Sequence, residues 1–216
     1  MEIWELMKQR HSVRRYKDIA VDSKQRAALD QLIEEINGET GLHIQAFYNE
    51  PRCFDSIMAH YGKFSGVKNY IALVGKRSPK LDETLGYYGE QIVLKIQELG
   101  LNSCWVAMTH GKSKADIRKG EKQVCLIAFG HGETQGVPHK SKSLQEVCDH
   151  TADMPEWFLN GMEAALLAPT AMNQQKFFFS SSPDGKIDAA CGKGFYTKLD
   201  LGIVKYHFEA GSGRKV

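Results

Sequence analysis

Residues 85–106 read LGYYGEQIVLKIQELGLNSCWV, and the fold is decided here. Leu85, Tyr88, Ile92, Ile96 and Leu99 recur at the three- and four-residue steps of one helix face, while Val93 and Leu94 add a second apolar flank. A helix that is apolar on two sides is buried on two sides, so the spacing predicts a central helix. Gly100 stops it, and Ser103 to Met108 then read as a strand. Gln123 to Phe129 is almost continuously apolar, as expected of a strand interior to a sheet.

Working outward toward the start, Ile3, Leu6, Met7 and Arg10 make one face of a short helix that runs into a polar cluster. Asp22 or Ser23 caps a second helix with its stripe at Leu29, Leu32, Ile33 and Ile36, and Asn37-Gly38 is expected to end it. His43 to Tyr48 and Tyr70 to Gly75 read as strands. Toward the end, residues 130–153 form a long surface excursion with one helical turn at Leu144 to Cys148. Asp153 and Glu156 resemble a capping box, with Pro155 in the first turn of a helix that carries Phe158, Met162, Ala165 and Leu166. That helix must stop by Leu167, because Ala168 precedes Pro169 and is pushed out of helical geometry. Phe177 to Phe179 is a strand, and Leu199 to Ala210 is read as a helix capped by Asp200. Helices and strands alternate irregularly with no linker, so the expectation is a single α+β domain over residues 1–216, a mixed central sheet surrounded by helices.

The 216 residues carry 28 Lys and Arg against 26 Asp and Glu, a net charge of +2, which argues against nucleic acid or membrane as the main partner. Five cysteines at 53, 104, 125, 148 and 191 form no C-x-x-C pair, and eight histidines lack the spacing of a metal site. No apolar run approaches the roughly 18 residues of a membrane span, and no basic signal region opens the chain, so the cytoplasm is the expected location.

Two segments concentrate chemistry. Arg10-His11-Ser12-Val13-Arg14-Arg15-Tyr16 offers guanidiniums and a hydroxyl of the kind a dianionic phosphate needs; a solvated basic face at a helix end is the competing reading. Ala168 to Gln175 gathers amides and a hydroxyl in a short turn. Amides donate and accept at once, which suits the alternating edge of a flavin pyrimidine ring, though the same groups can serve only stray backbone atoms.

Together the R-H-S-V-R-R-Y opening, the helix and strand of residues 86–106 and the A-P-T-A-M-N-Q-Q-K-F-F-F segment resemble the flavin-dependent nitroreductase family. The resemblance implies a nitroreductase-like α+β fold, bound FMN, NADH or NADPH as reductant, a ping-pong cycle onto a small electrophilic acceptor, and a homodimer. Carried over by motif, Arg10, Ser12 and Arg14 would hold the FMN phosphate, with His11 contributing its backbone. Pro169, Thr170, Asn173 and Gln175 would border the isoalloxazine, and Gly100 to Trp105, with Cys104 and Trp105 at its end, would wall the flavin. No residue is assigned as catalytic acid or base, because the flavin carries the chemistry. Three departures stand out. The amide segment comes about 160 residues after the basic motif, Lys176-Phe177 replaces Pro-Trp, and Asn102 replaces the second glycine of G-L-G. The alternative is a non-catalytic flavin- or nucleotide-binding protein on the same fold.

Overall fold

The computed structural model describes residues 1–149, 154–182 and 185–216. They group into two compact units: a sheet unit, Gln9–Leu81 with Ile92–Val137, and a helical unit, Met1–Lys8, Asp82–Gln91 and Pro138–Val216. The α+β class stands. Every ladder between named strands is antiparallel, and parallel pairing is confined to isolated bridges such as Ser12 with Ser103 and Arg15 with Ser65.

In the sheet unit, β1 (Gln45–Phe47), β2 (Asn69–Lys76), β3 (Asn102–Val106) and β4 (Glu121–Gly130) lie in the order β1-β2-β4-β3. The apolar run around residue 125 is therefore interior, as its composition requires. Helix α2 (Ser23–Thr40) starts at Asp22, whose Oδ1 accepts from Lys24 N at 2.8 Å and Gln25 N at 2.9 Å. It does not end at Asn37-Gly38. The Asn37 side chain instead bonds both backbone groups of Ile44, at 2.9 Å each, and Gly41 supplies the left-handed cap at φ 70°. A short helix, α3 (Ile57–Tyr61), has no counterpart in the sequence pattern.

Helix α4 (Leu81–Glu98) is the expected one, with Leu85, Ile92, Val93, Leu94 and Ile96 all buried, and Gly100 at φ 75° turns the chain into β3. In the helical unit, α1 (Ile3–Gln9), α5 (Glu156–Leu167) and α6 (Thr197–Ser212) accompany the hairpin of β5 (Phe177–Ser181) and β6 (Ile187–Cys191). Glycines set the spacing here. A Cβ on Gly86 would lie 2.0 Å from Leu199 O and one on Gly202 1.9 Å from Glu83 O, so only glycine lets these two backbones touch. Phe208 packs on Phe158 and stacks on Phe179. The His207 ring lies between Ala164 O and Glu90 Oε1, 3.0 Å from each, fully buried.

Two end signals differ from expectation. Pro155 occupies the cap position of α5 rather than its first turn, and Asp153 lies outside the described residues. Asp200 is not the cap of α6; Tyr196 precedes that helix, and Asp200 is buried inside its first turn. Among the described residues no helix is long and apolar enough to cross a membrane.

Candidate functional site

The basic segment is held as an extended strip in the sheet unit. Val13 N donates to Ser103 O at 2.9 Å, Tyr16 N to Ser65 O at 3.0 Å, and Lys17 N to His131 O at 2.8 Å. Val13 and Tyr16 point inward and are buried, and the Tyr16 hydroxyl lies 2.6 Å from Val13 O and 3.3 Å from Ala128 O. Ser12 and Arg14 flank the buried Val13 and are both exposed, as is Arg15. Arg10 is buried at 3% exposure.

Arg10, Ser12 and Arg14 all act on the Cys104 thiol of β3, the two arginines through their charge and Ser12 through a hydrogen bond. Burial pushes that thiol up, and the Arg14 charge, a Ser12 hydrogen bond and the Arg10 charge oppose the rise in that order. The thiol is held neutral and adds no negative charge beside the guanidiniums. Trp105, next along β3, points to the opposite face by strand alternation and is half-buried. The Arg14 guanidinium lies over the Phe64 ring at 5.9 Å.

Sequence reasoning missed the residues that close this strip. Gly136, at φ 73°, has no room for a Cβ, which would stand 2.7 Å from His11 Cβ and 3.3 Å from Ser12 O. Asn102, a departure from the family motif, accepts from Gly132 N at 3.0 Å and donates to Gln135 at 2.9 Å, tying residues 132–135 to β3. The available signal was the pair of glycines just after an apolar strand.

The amide turn belongs to the helical unit and is built differently. Met172, Asn173 and Gln175 all have positive φ, at 51°, 53° and 44°. Such conformations persist in residues with side chains only where the surroundings hold them. Here the Thr170 hydroxyl accepts from Gln175 N at 3.0 Å, and the two Asp200 oxygens accept from Ala171 N at 2.9 Å and Gln174 Nε2 at 2.7 Å. Burial pushes the Asp200 carboxyl up to about 6, against the pull of those two hydrogen bonds.

Gln175, 3% exposed, accepts from Lys142 N and donates to Lys140 O and Asn173 Oδ1, each at 2.9 Å. Asn173 donates to Lys140 O at 2.8 Å but stays exposed. Thr170, Asn173 and Gln175 are thus brought together with Asp200 and the 140–142 backbone, beside Pro169. Arg10, His11, Ser12, Arg14 and Cys104 are brought together in the sheet unit, whereas Trp105 faces the other side of β3. Asp200 and Lys140 were not foreseen as partners of the turn.

The sheet unit thus carries a basic strip in which Ser12 and Arg14 are exposed and Arg10 is buried. The family described as "Putative TM nitroreductase" matches residues 2–212, and the chain belongs to this family. Among solved structures, a "putative nitroreductase" from Thermotoga maritima superposes with a TM-score of 0.69 at 20% identity, covering 98% of this chain and 83% of that one. A nitroreductase family protein from Streptococcus pneumoniae gives 0.55 at 16% identity, with 69% of this chain and 100% of that one. A "putative nitroreductase in complex with FMN" from Desulfovibrio desulfuricans gives 0.52 at 17%, with 71% and 96% covered. At these identities the likeness is one of fold. No curated protein matches the chain.

Proposed function

We propose that the protein is an FMN-dependent NAD(P)H oxidoreductase whose basic strip grips the cofactor phosphate. The observation that carries this reading is the convergence of Arg10, Ser12 and Arg14 beside Cys104. Their chemistry fits a phosphate dianion: guanidiniums supply charged forks, serine a neutral donor, and the protonated thiol beneath brings no repulsion. The FMN complex of the Desulfovibrio relative supports the choice of ligand.

FMN held there by Arg10, Ser12 and Arg14 would supply the two-electron chemistry of a ping-pong reaction between NADH or NADPH and a nitroaromatic, a quinone or a similar electrophile. The chain's own residues bind and orient. His11 is held by the close approach of Gly136, which fixes the backbone of the phosphate grip. Asn173 spends one amide N–H on Lys140 O, and its second is available to a flavin edge, where a donor favours negative charge. Pro169, Thr170 and Gln175 shape that turn, and Cys104 with Trp105 ends the wall begun at Gly100. The same reading takes residues 1–216 as one functional domain of a cytoplasmic homodimer, with no nucleic-acid or membrane partner.

A second reading, a flavin- or nucleotide-binding protein without turnover, is favoured by one observation: the Gln175 amide is already spent on the backbone of residues 140–142 and on Asn173. Spectra of the FMN-reconstituted chain under anaerobic conditions separate the two. Flavin bands that bleach on addition of NADH or NADPH and return with a quinone support the oxidoreductase. Bands that neither nicotinamide bleaches support the binder, and a chain that takes up no FMN removes both.

A further inference from the structure

A second place lined by charged side chains lies elsewhere in the sheet unit, as an open depression. A cavity of about 510 Å³ is lined by Glu50, Arg52, Lys112, Ser113, Lys114 and Ala115. One wall is the connection between β3 and β4, residues 107–120, a length without regular structure that is uncommon in compact domains and usually serves a function. This connection is pinned. Gln45 bonds both backbone groups of Asp116 at 2.9 Å, Gly111 N donates to Cys53 O at 2.6 Å, and Lys114 N donates to the Tyr70 hydroxyl at 2.9 Å. The rim is therefore fixed before any ligand arrives.

The charges on this rim exclude two simple occupants. Arg52, Lys112 and Lys114 are exposed cations, which turn away a metal ion or an amine. Glu50, however, is 5% exposed and lines the same space, and a buried carboxylate disfavours a bare anion. Glu50 is held by Cys53 N at 3.4 Å and by Lys114 Nζ at 3.7 Å, and it hydrogen-bonds the Tyr70 hydroxyl. Arg52 and Lys112 make no ion pair among the described residues. The occupant must offer hydroxyl donors to the carboxylate and a phosphate to the two unpaired cations. A carboxylate on a sugar diol with an arginine on a nearby phosphate is a general solution for ribose phosphates.

We propose that this cavity binds a phosphorylated sugar, such as the ribose phosphate of a nucleotide. Its source is either the ADP half of the nicotinamide reductant or a free nucleotide. The site does not depend on the flavin reading, and its test is set up to stay separate from it. The chain, with and without added FMN, is titrated calorimetrically with ribose 5-phosphate and with inorganic phosphate. Saturable binding of ribose 5-phosphate, tighter than that of phosphate, is expected. The Arg52→Ala/Lys112→Ala double variant, altered only at exposed side chains, should weaken it by about tenfold or more. Glu50→Gln should narrow the gap between the two ligands. Absence of saturable binding, equal affinity for both ligands, or an unaltered double variant overturns the proposal. In the double variant, a raised KM for NADH and NADPH with kcat kept assigns the site to the reductant. Unchanged KM values with ribose 5-phosphate binding lost assign it to a separate nucleotide.

Discussion

The strip at residues 10–16 and the turn at residues 168–175 are both polar, yet they spend their side chains in opposite ways. The strip satisfies its backbone through neighbouring strands and leaves Ser12 and Arg14 outward. In the turn, backbone in a costly conformation is held by Thr170 and by Asp200 of α6, while the Gln175 amide ties it to residues 140–142. Polar residues advertise ligand chemistry only where the backbone around them is satisfied by something else. The strip thus has Ser12 and Arg14 free of that duty, as the proposed phosphate grip requires, and the turn is first a piece of structure that leaves Asn173 at its edge.

The largest effect should come from the turn. Gln175→Ala removes three buried hydrogen bonds and leaves Lys142 N without its partner, which should cost about 4 kcal/mol of stability in urea unfolding. A loss below about 1 kcal/mol would mean that the turn does not need its amides, and the contrast would fail.

Asp200 sharpens the same point through pH. Its folded value of about 6 lies above the ordinary 3.8, so the stability linked to it is fully present below about pH 4, where both states are protonated. It is lost as pH rises through 6, because the unfolded chain ionises more readily. The drop should be about 3 kcal/mol, since each tenfold difference in acidity between the folded and unfolded chain is worth about 1.4 kcal/mol. Unfolding midpoints of the wild type and Asp200→Asn from pH 4 to 8 should diverge in that window, with the wild type losing ground. Parallel curves would place Asp200 in a more solvated setting.

For the strip, Arg14→Ala should leave the unfolding midpoint nearly unchanged and weaken FMN binding by roughly one to two orders of magnitude, the value of one charge-assisted hydrogen bond. A variant that loses stability but not affinity would make the two regions alike. The smallest effect is expected at Met172, exposed and at φ 51°. Met172→Gly should stabilise the chain by about 0.5 kcal/mol, the relief of left-handed strain less the entropy glycine loses on folding. A destabilised variant would show that the turn is not strained.

Much of the fold could be read from periodicity and end signals. The α4 stripe, the Gly100 stop, the Asp22 cap and the Ala168-Pro169 break all act within a few residues of themselves, so local sequence carries them. Asn37-Gly38 misled because the end of α2 was decided by a bond from Asn37 to Ile44, which no local pattern contains. Asp200 misled for the same reason, since its partners Ala171 and Gln174 are distant in sequence. Helix α3 was invisible because Ile57 and Tyr61 are exposed and make no inward stripe. Of the candidate site, the strip was legible as chemistry, while the support from Gly136 and Asn102 depends on a loop folded back from β4.

The most direct test of the strip is the ratio of the dissociation constants for FMN and for riboflavin, which differ only by the phosphate, measured by fluorescence titration of the purified chain. A grip formed by Arg10, Ser12 and Arg14 predicts FMN bound at least about tenfold more tightly, with the advantage shrinking as salt is raised. Equal affinities, insensitive to salt, would contradict the account.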